Sequence, residues 1–287
     1  MFGLSDFIED WLRELLIEGI TSNFTRMFEG LNTRVNDIAV QVGQTPQGWN
    51  ANIFNMIRNI SETVIIPIAG VIMTFILCYE LIQMIMERNN LVEFELSKLY
   101  TWIFKTFCAV LILTNTFDIV MGVFEMAQSV VNSSAGVIIG SLDVEVALTD
   151  LETQLEAMST GALIQFYLES SILQLAMQAI SICVFLIIYG RMIEIYLTIS
   201  MAPIPFSTMI NREWGTIGNS YLKSLFALAF QGFLIMICVA IYAALLGSIP
   251  TSDNVHIMMW TTAGYTLLLC LTLFRSASLS KSLFGSG

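Results

Sequence analysis

Apolar residues recur at three- and four-residue spacing near the N-terminus. Leu4, Phe7, Ile8, Trp11, Leu12, Leu15 and Leu16 line one side, while Asp6, Glu9, Asp10, Glu14 and Glu18 take the other. This spacing predicts an amphipathic helix over Phe2 to Ile20. Its polar face is acidic, which anionic headgroups repel, so a partner helix or the protein's own bundle is the expected recipient of the apolar face. The pattern resumes at Phe24, Met27, Phe28, Leu31, Val35, Ile38 and Val42, a short heptad-like seam that suits self-association and packing onto the same chain equally. Gly43 to Trp49 (GQTPQGW) then reads as a loop.

Beyond that loop the polar face fades. Nearly uncharged windows run over about Thr63–Met86, Tyr100–Ile119 (continuing amphipathically past Glu125), Leu163–Tyr189, Leu225–Ile249 and Met258–Phe274. They run from 17 to 27 residues, and about 20 at ~1.5 Å per residue cross a ~30 Å hydrocarbon core. Only helices and closed barrels satisfy every backbone group in lipid, and these windows lack the alternation of barrel strands. The expected class is therefore all-α, a polytopic helical membrane protein with about five transmembrane helices after amphipathic N-terminal helices. Composition agrees: the 287 residues are 56% hydrophobic and 12% charged with a mean hydropathy of +0.75, more apolar surface than a soluble fold of this size buries. The expected organisation is an extracytoplasmic amphipathic region at 1–58, a first transmembrane hairpin at 59–127, an acidic outer loop at 128–160 and a C-terminal transmembrane bundle at 161–287.

One apolar stretch does not fit a simple crossing. Arg191 to Gly215 (RMIEIYLTISMAPIPFSTMINREWG) places Pro203 and Pro205 inside it, and each proline removes a backbone donor and disfavours helix at the residue before it. Irregular backbone at membrane depth must be buried in protein or line a wet cavity. Lys and Arg placement sets orientation: Arg88, Lys98 and Lys105 surround the first interspan loop, whereas 128–160 contains acidic residues and no Lys or Arg. The N-terminus is thus expected outside and the C-terminus inside, although Arg13, Arg26, Arg34 and Arg58 run against that rule. A full crossing at Met192–Ile210 would put Arg212, Lys223, Arg275 and Lys281 on the wrong side. Five crossings plus a proline-broken re-entrant segment at 191–215 is the expected count, with six crossings as the competing one. No basic region precedes a short apolar core at the start, so insertion is expected to rely on the internal spans.

Carboxylates within a bilayer cost at least ~2.5 kcal/mol each and normally face a partner or water. The candidates are Glu80, Asp118, Glu169 and Glu194. Arg191 and Glu194 can face each other along one helix side, which reads most simply as a structural ion pair. Glu80, Gln83 and Glu87 form one polar stripe, and Gln165, Glu169, Ser170, Gln174 and Gln178 another. A proton or ion relay is the rival reading of these stripes. Trp102, Trp214 and Trp260 lie near span ends, as interfacial anchors do. His256 falls in a short outer loop, and the five cysteines each stand alone in apolar runs, as packing residues. No catalytic constellation, cofactor motif or metal-ligand spacing is present, so an enzyme is not expected. The net charge of −11 argues against sequence-specific nucleic-acid binding.

The order of features resembles a family. An amphipathic region, two spans, a basic-free loop and a long apolar helix reach R-x-x-E-x-Y-L-x-x-S-x-A-P-I-P, here Arg191, Glu194, Tyr196, Leu197, Ser200, Ala202, Pro203, Ile204 and Pro205, followed by the polar NREWG turn. This is similar to the TrbL-like polytopic subunits of conjugal transfer and type IV secretion systems, especially the compact versions in mobile elements of Gram-positive bacteria. The resemblance implies a channel or scaffold subunit in the cytoplasmic membrane that supports DNA or protein transfer and forms a homo-oligomer. It also implies contacts with other transfer subunits, among them separate ATPases and pilin-like or extracellular components. The alternative is an ion or solute transporter with its site at the broken helix. Such transporters usually repeat the break in each half, and no second APIP-like interruption occurs here.

Overall fold

The computed structural model describes residues 2–86, 96–135, 151, 153–211, 213–248 and 255–286. Among them the main elements are α1 (Phe2–Val42), α2 (Pro46–Trp49), α3 (Ala51–Ile60), a π-turn (Ser61–Ile65), α4 (Ile66–Met86), α5 (Leu96–Thr114) and α6 (Thr116–Ala135). They continue with α7 (Thr160–Met201), α8 (Pro203–Thr208), α9 (Gly215–Gly247) and α10 (Val255–Phe284). Among the described residues, five helical stretches are long and apolar enough to cross a membrane: Ala51–Met86, Ser97–Thr114, Thr160–Met201, Gly215–Gly247 and His256–Phe284. The chain is an all-α polytopic membrane protein. Its large exposed side chains are those lipid would cover, including Val71, Phe75, Phe104, Phe107, Leu175 and Phe185.

Three span boundaries differ from the sequence reading, each for a local reason. The first helix runs unbroken from Ala51 rather than starting near Thr63, because the π-turn absorbs Pro67: the Ile66 N–H donates to the Ser61 carbonyl, one residue further back than in an α-helix. The second span stops at Thr114. Its Thr-Asn-Thr run competes for the backbone, with Asn115 Nδ2 donating to the Leu111 carbonyl at 2.7 Å and Thr116 Oγ1 to the Ile112 carbonyl at 2.9 Å. The third span does not end at Tyr189. Its helix continues through Arg191 to Met201, 42 residues or about 63 Å at ~1.5 Å each. Segment 128–160 opens helically, since α6 reaches Ala135. Residues 136–150 of the acidic segment, Asp150 included, lie outside the described residues, as do Glu87 and Arg212.

Contacts group the chain into two compact units. The first comprises Met1–Val42, Ser133–Ile188 and Ile235–Arg275. Here α1 packs onto its own chain: Phe24 and Phe28 are buried, the Phe24 ring lies 5.8 Å from Phe166, and Asn23 donates to Ser170 and Ser171 at 3.1 Å each. The polar stripe of α7 is thereby satisfied in part by α1. Phe7, Ile8, Trp11 and Leu15 remain exposed.

The second unit comprises Gly43–Asn132, Tyr189–Leu234 and Ser276–Gly287, and it contains the proline break. One core joins Phe54 of α3, Phe117, Val120 and Phe124 of α6, Ile195 and Ile199 of α7, and Leu225 and Leu228 of α9. A second joins Ala69, Met73 and Leu77 of α4 to Ala109 and Leu113 of α5. Helix α8 belongs to both. Phe206 sits in the first, and Ile204 packs against the second together with Ile210 just beyond the helix.

Candidate functional site

The break is buried in protein, as irregular backbone at membrane depth requires. Ala202 is 0% exposed, and Pro203, Phe206, Ser207 and Thr208 are also buried. Pro205 is half-buried. Within the second unit, the C-terminal part of α7, α8 and the start of α9 form an antiparallel hairpin. Without amides at Pro203 and Pro205, the last turn of α7 tightens, and the Ala202 N–H bonds the Ile199 carbonyl at 3.3 Å. The Thr198 carbonyl, which an unbroken helix would pair with Ala202, instead accepts from the Tyr221 hydroxyl of α9 at 2.9 Å. Ser207 and Thr208 hydroxyls donate to the Ile204 and Pro205 carbonyls at 2.7 and 2.8 Å. At the tip, the Asn211 side chain accepts from the Glu213 N–H at 2.8 Å.

The same hairpin is latched to the chain before the first span. Tyr196 of α7 donates its hydroxyl to the Pro46 carbonyl at 2.6 Å, and Trp49 packs its ring 5.9 Å from Tyr196 and 5.3 Å from Tyr189. This explains why GQTPQGW is short and ordered. Thr45 caps α2 by accepting from the Gly48 N–H at 3.1 Å, and Asn50 caps α3 by accepting from the Ile53 N–H at 3.0 Å.

Arg191 is the unusual member. It is 5% exposed, and its Nε is buried without a hydrogen-bond partner. The expected ion pair with Glu194 does not form. Glu194 instead lies 3.4 Å from Lys281 of α10, across the helices, and attracts Arg191 only through space. The Arg191 guanidinium rests against Gly232 of α9, where a Cβ would approach Nη2 to 2.7 Å. The missing side chain at Gly232 is what admits the guanidinium. A buried charge without a matched counter-charge is costly, and such costs are retained mainly where function demands them.

The other candidates fall into separate places. Glu80 pairs with Lys105 of α5, beside a cavity of about 470 Å³ that also takes in Trp102, Asn211 and Glu213. Trp214 lies edge-on to Phe75 at 6.4 Å. Asp118 opens α6 and lies 3.5 Å from Arg58, which bonds Glu62 at 2.7 Å and covers the Phe117 ring at 5.4 Å. Arg58, one of the arginines that run against the orientation rule, has a structural partner in α6. In the first unit, Glu169 accepts from Gln165 at 2.9 Å and meets His256 Nδ1 at 3.1 Å. His256 is not a loop residue: it lies in the first turn of α10, its ring 4.3 Å from Phe166. The structure thus gathers Arg191, Glu194, Pro203, Pro205, Glu80, Asp118 and Trp214 in the second unit and leaves Glu169 in the first. Lys105, Tyr221 and Gly232 were missed, because their roles come from long-range approach that no local spacing encodes.

A buried, hydroxyl-repaired proline break within apolar helices defines a multi-pass membrane protein whose irregular backbone is part of its construction. Residues 31–203 match the family described as TrbL/VirB6 plasmid conjugal transfer like protein. The chain belongs to that family and is a membrane subunit of a conjugal transfer, type IV secretion-related system. Comparison with curated proteins and with solved structures returned no match.

Proposed function

We propose that this subunit is a channel or scaffold of the transfer machine in the cytoplasmic membrane, and that the α7–α8–α9 hairpin is the part that supports passage of DNA or protein. The observation that carries the reading is the hairpin itself. Its break is sealed by the Tyr221, Ser207 and Thr208 hydroxyls and flanked by a buried arginine whose Nε has no hydrogen-bond partner. A packed corner alone gains nothing from Arg191. The subunit works as a homo-oligomer with separate transfer ATPases and extracellular or pilin-like components. Affinity purification of the tagged chain from transfer-competent cells is expected to recover those components, and deleting the chain to abolish transfer. Solute uptake by the lone protein in liposomes, with transfer intact after deletion, would overturn the reading.

The N-terminal region 1–58 and the acidic segment 128–160 lie outside, and the C-terminus lies inside. Support comes from the charge pattern: 128–160 holds no Lys or Arg, while Arg275 and Lys281 follow the last apolar window. Single cysteines near Asp150, Asp253 and Lys281, in a cysteine-free background, test this with a membrane-impermeant thiol reagent. The first two are expected to label in intact cells and the third only after permeabilisation. Labelling of the Lys281 site in intact cells contradicts the orientation.

A further inference from the structure

The cavity beside Glu80 carries an unmet chemical demand. Helices α4 and α5 and the hairpin tip enclose about 470 Å³, and two cations, Lys98 and Lys105, face it together with two carboxylates, Glu80 and Glu213. Glu80 uses one oxygen for Lys105, while its Oε2 is buried with no hydrogen-bond partner. The Trp102 indole N–H, on the same wall, is likewise buried and unpartnered. One orphan acceptor and one orphan donor in a single cavity are unusual, since buried polar groups are nearly always paired. An orphan carboxylate oxygen is best met by an N–H-bearing cation, and an indole N–H flanked by lysines by an anion.

We propose that this cavity binds a zwitterion carrying a primary ammonium and a phosphate on a short linker, the headgroup of phosphatidylethanolamine. The ammonium donates to Glu80 Oε2, with Glu213 adding negative charge. The phosphate accepts from the Trp102 indole and from the lysines. Lipid is the natural source for a chain that spans the bilayer. The chemistry discriminates among lipids. A choline headgroup has no N–H to offer Glu80, and a glycerol headgroup has no cation. The proposal stands independently of whether the hairpin conducts cargo.

The test titrates the full-length chain in detergent with dioctanoyl phosphatidylethanolamine, phosphatidylcholine and phosphatidylglycerol, reading bound lipid by native mass spectrometry. Phosphatidylethanolamine is expected to be retained at about tenfold lower concentration than either other lipid, the scale of one charge-assisted hydrogen bond. Glu80→Gln is expected to erase that preference, whereas Trp102→Phe, which removes a donor to the phosphate common to all three lipids, is expected to weaken retention of all three alike and leave the preference in place. Trp102→Phe spares the Glu80–Lys105 pair, so it tests occupancy of the cavity even if Glu80→Gln loosens the fold. Competition by soluble glycerophosphoethanolamine identifies the headgroup alone as sufficient, and retention against it identifies the whole lipid, both in line with the proposal. Equal binding of the three lipids, a preference unchanged in Glu80→Gln, or retention of all three lipids unchanged in Trp102→Phe, overturns it.

Discussion

Arg191→Met is expected to make the protein more stable and less competent. Arg191 is 5% exposed, its Nε is buried without a hydrogen-bond partner, and its carboxylate neighbour Glu194 is engaged with Lys281. Methionine fills similar volume along the same helix face without a charge to desolvate. Replacing buried charge by apolar groups commonly stabilises by about 1–4 kcal/mol, which corresponds to a rise of about 3 °C or more in melting temperature. Transfer by cells carrying the variant is expected to fall despite the gain. Stability rising while function falls marks a residue kept for what it does rather than for holding the fold. A lower melting temperature would instead mean that Arg191 is a structural tie, and would remove it from the functional site.

Gly218→Val is expected to cause the largest loss of stability. At Gly218, α9 passes close against the break. A Cβ there would lie 2.0 Å from Met209 Cγ and 2.7 Å from the Pro205 carbonyl oxygen. The methionine side chain can swing aside, but the carbonyl belongs to backbone already fixed by the Thr208 hydroxyl at 2.8 Å. The hairpin must open, at about 3 kcal/mol, the upper end of overpacking costs. Thermal unfolding in detergent measures this, with Gly247→Val as the control, since nothing lies within 4 Å of a Cβ at Gly247. Equal melting of the two variants would show that α9 does not press on the break.

The membrane class, the approximate spans and the break itself were legible in the sequence, because each depends on local chemistry: apolar run length, proline's missing amide, and charge-free windows. The ends of the spans were not. Pro67 was absorbed by a π-turn and Asn115 broke a continuous apolar run, outcomes that depend on neighbouring carbonyls rather than on hydropathy. The site was half legible. Arg191, Pro203 and Pro205 announced themselves as charge and proline among apolar residues. The partners that give them meaning, Gly232 beneath the guanidinium and Tyr221 on the Thr198 carbonyl, come from a helix that folds back and look unremarkable in the chain. The Arg191–Glu194 pair failed for the same reason. Helical spacing allowed it, but Lys281 from α10 competes for the carboxylate.

The decisive measurement is transfer frequency together with complex recovery for Pro203→Ala/Pro205→Ala. Two alanines restore two amide donors, so α7 and α8 can join as one continuous helix and the Thr198 carbonyl no longer needs Tyr221. If the break supports passage, transfer drops to the level of the deletion while the chain still inserts and co-purifies with its transfer partners. Normal transfer by the double variant, or loss of the assembled complex along with transfer, would contradict a role for the break beyond packing.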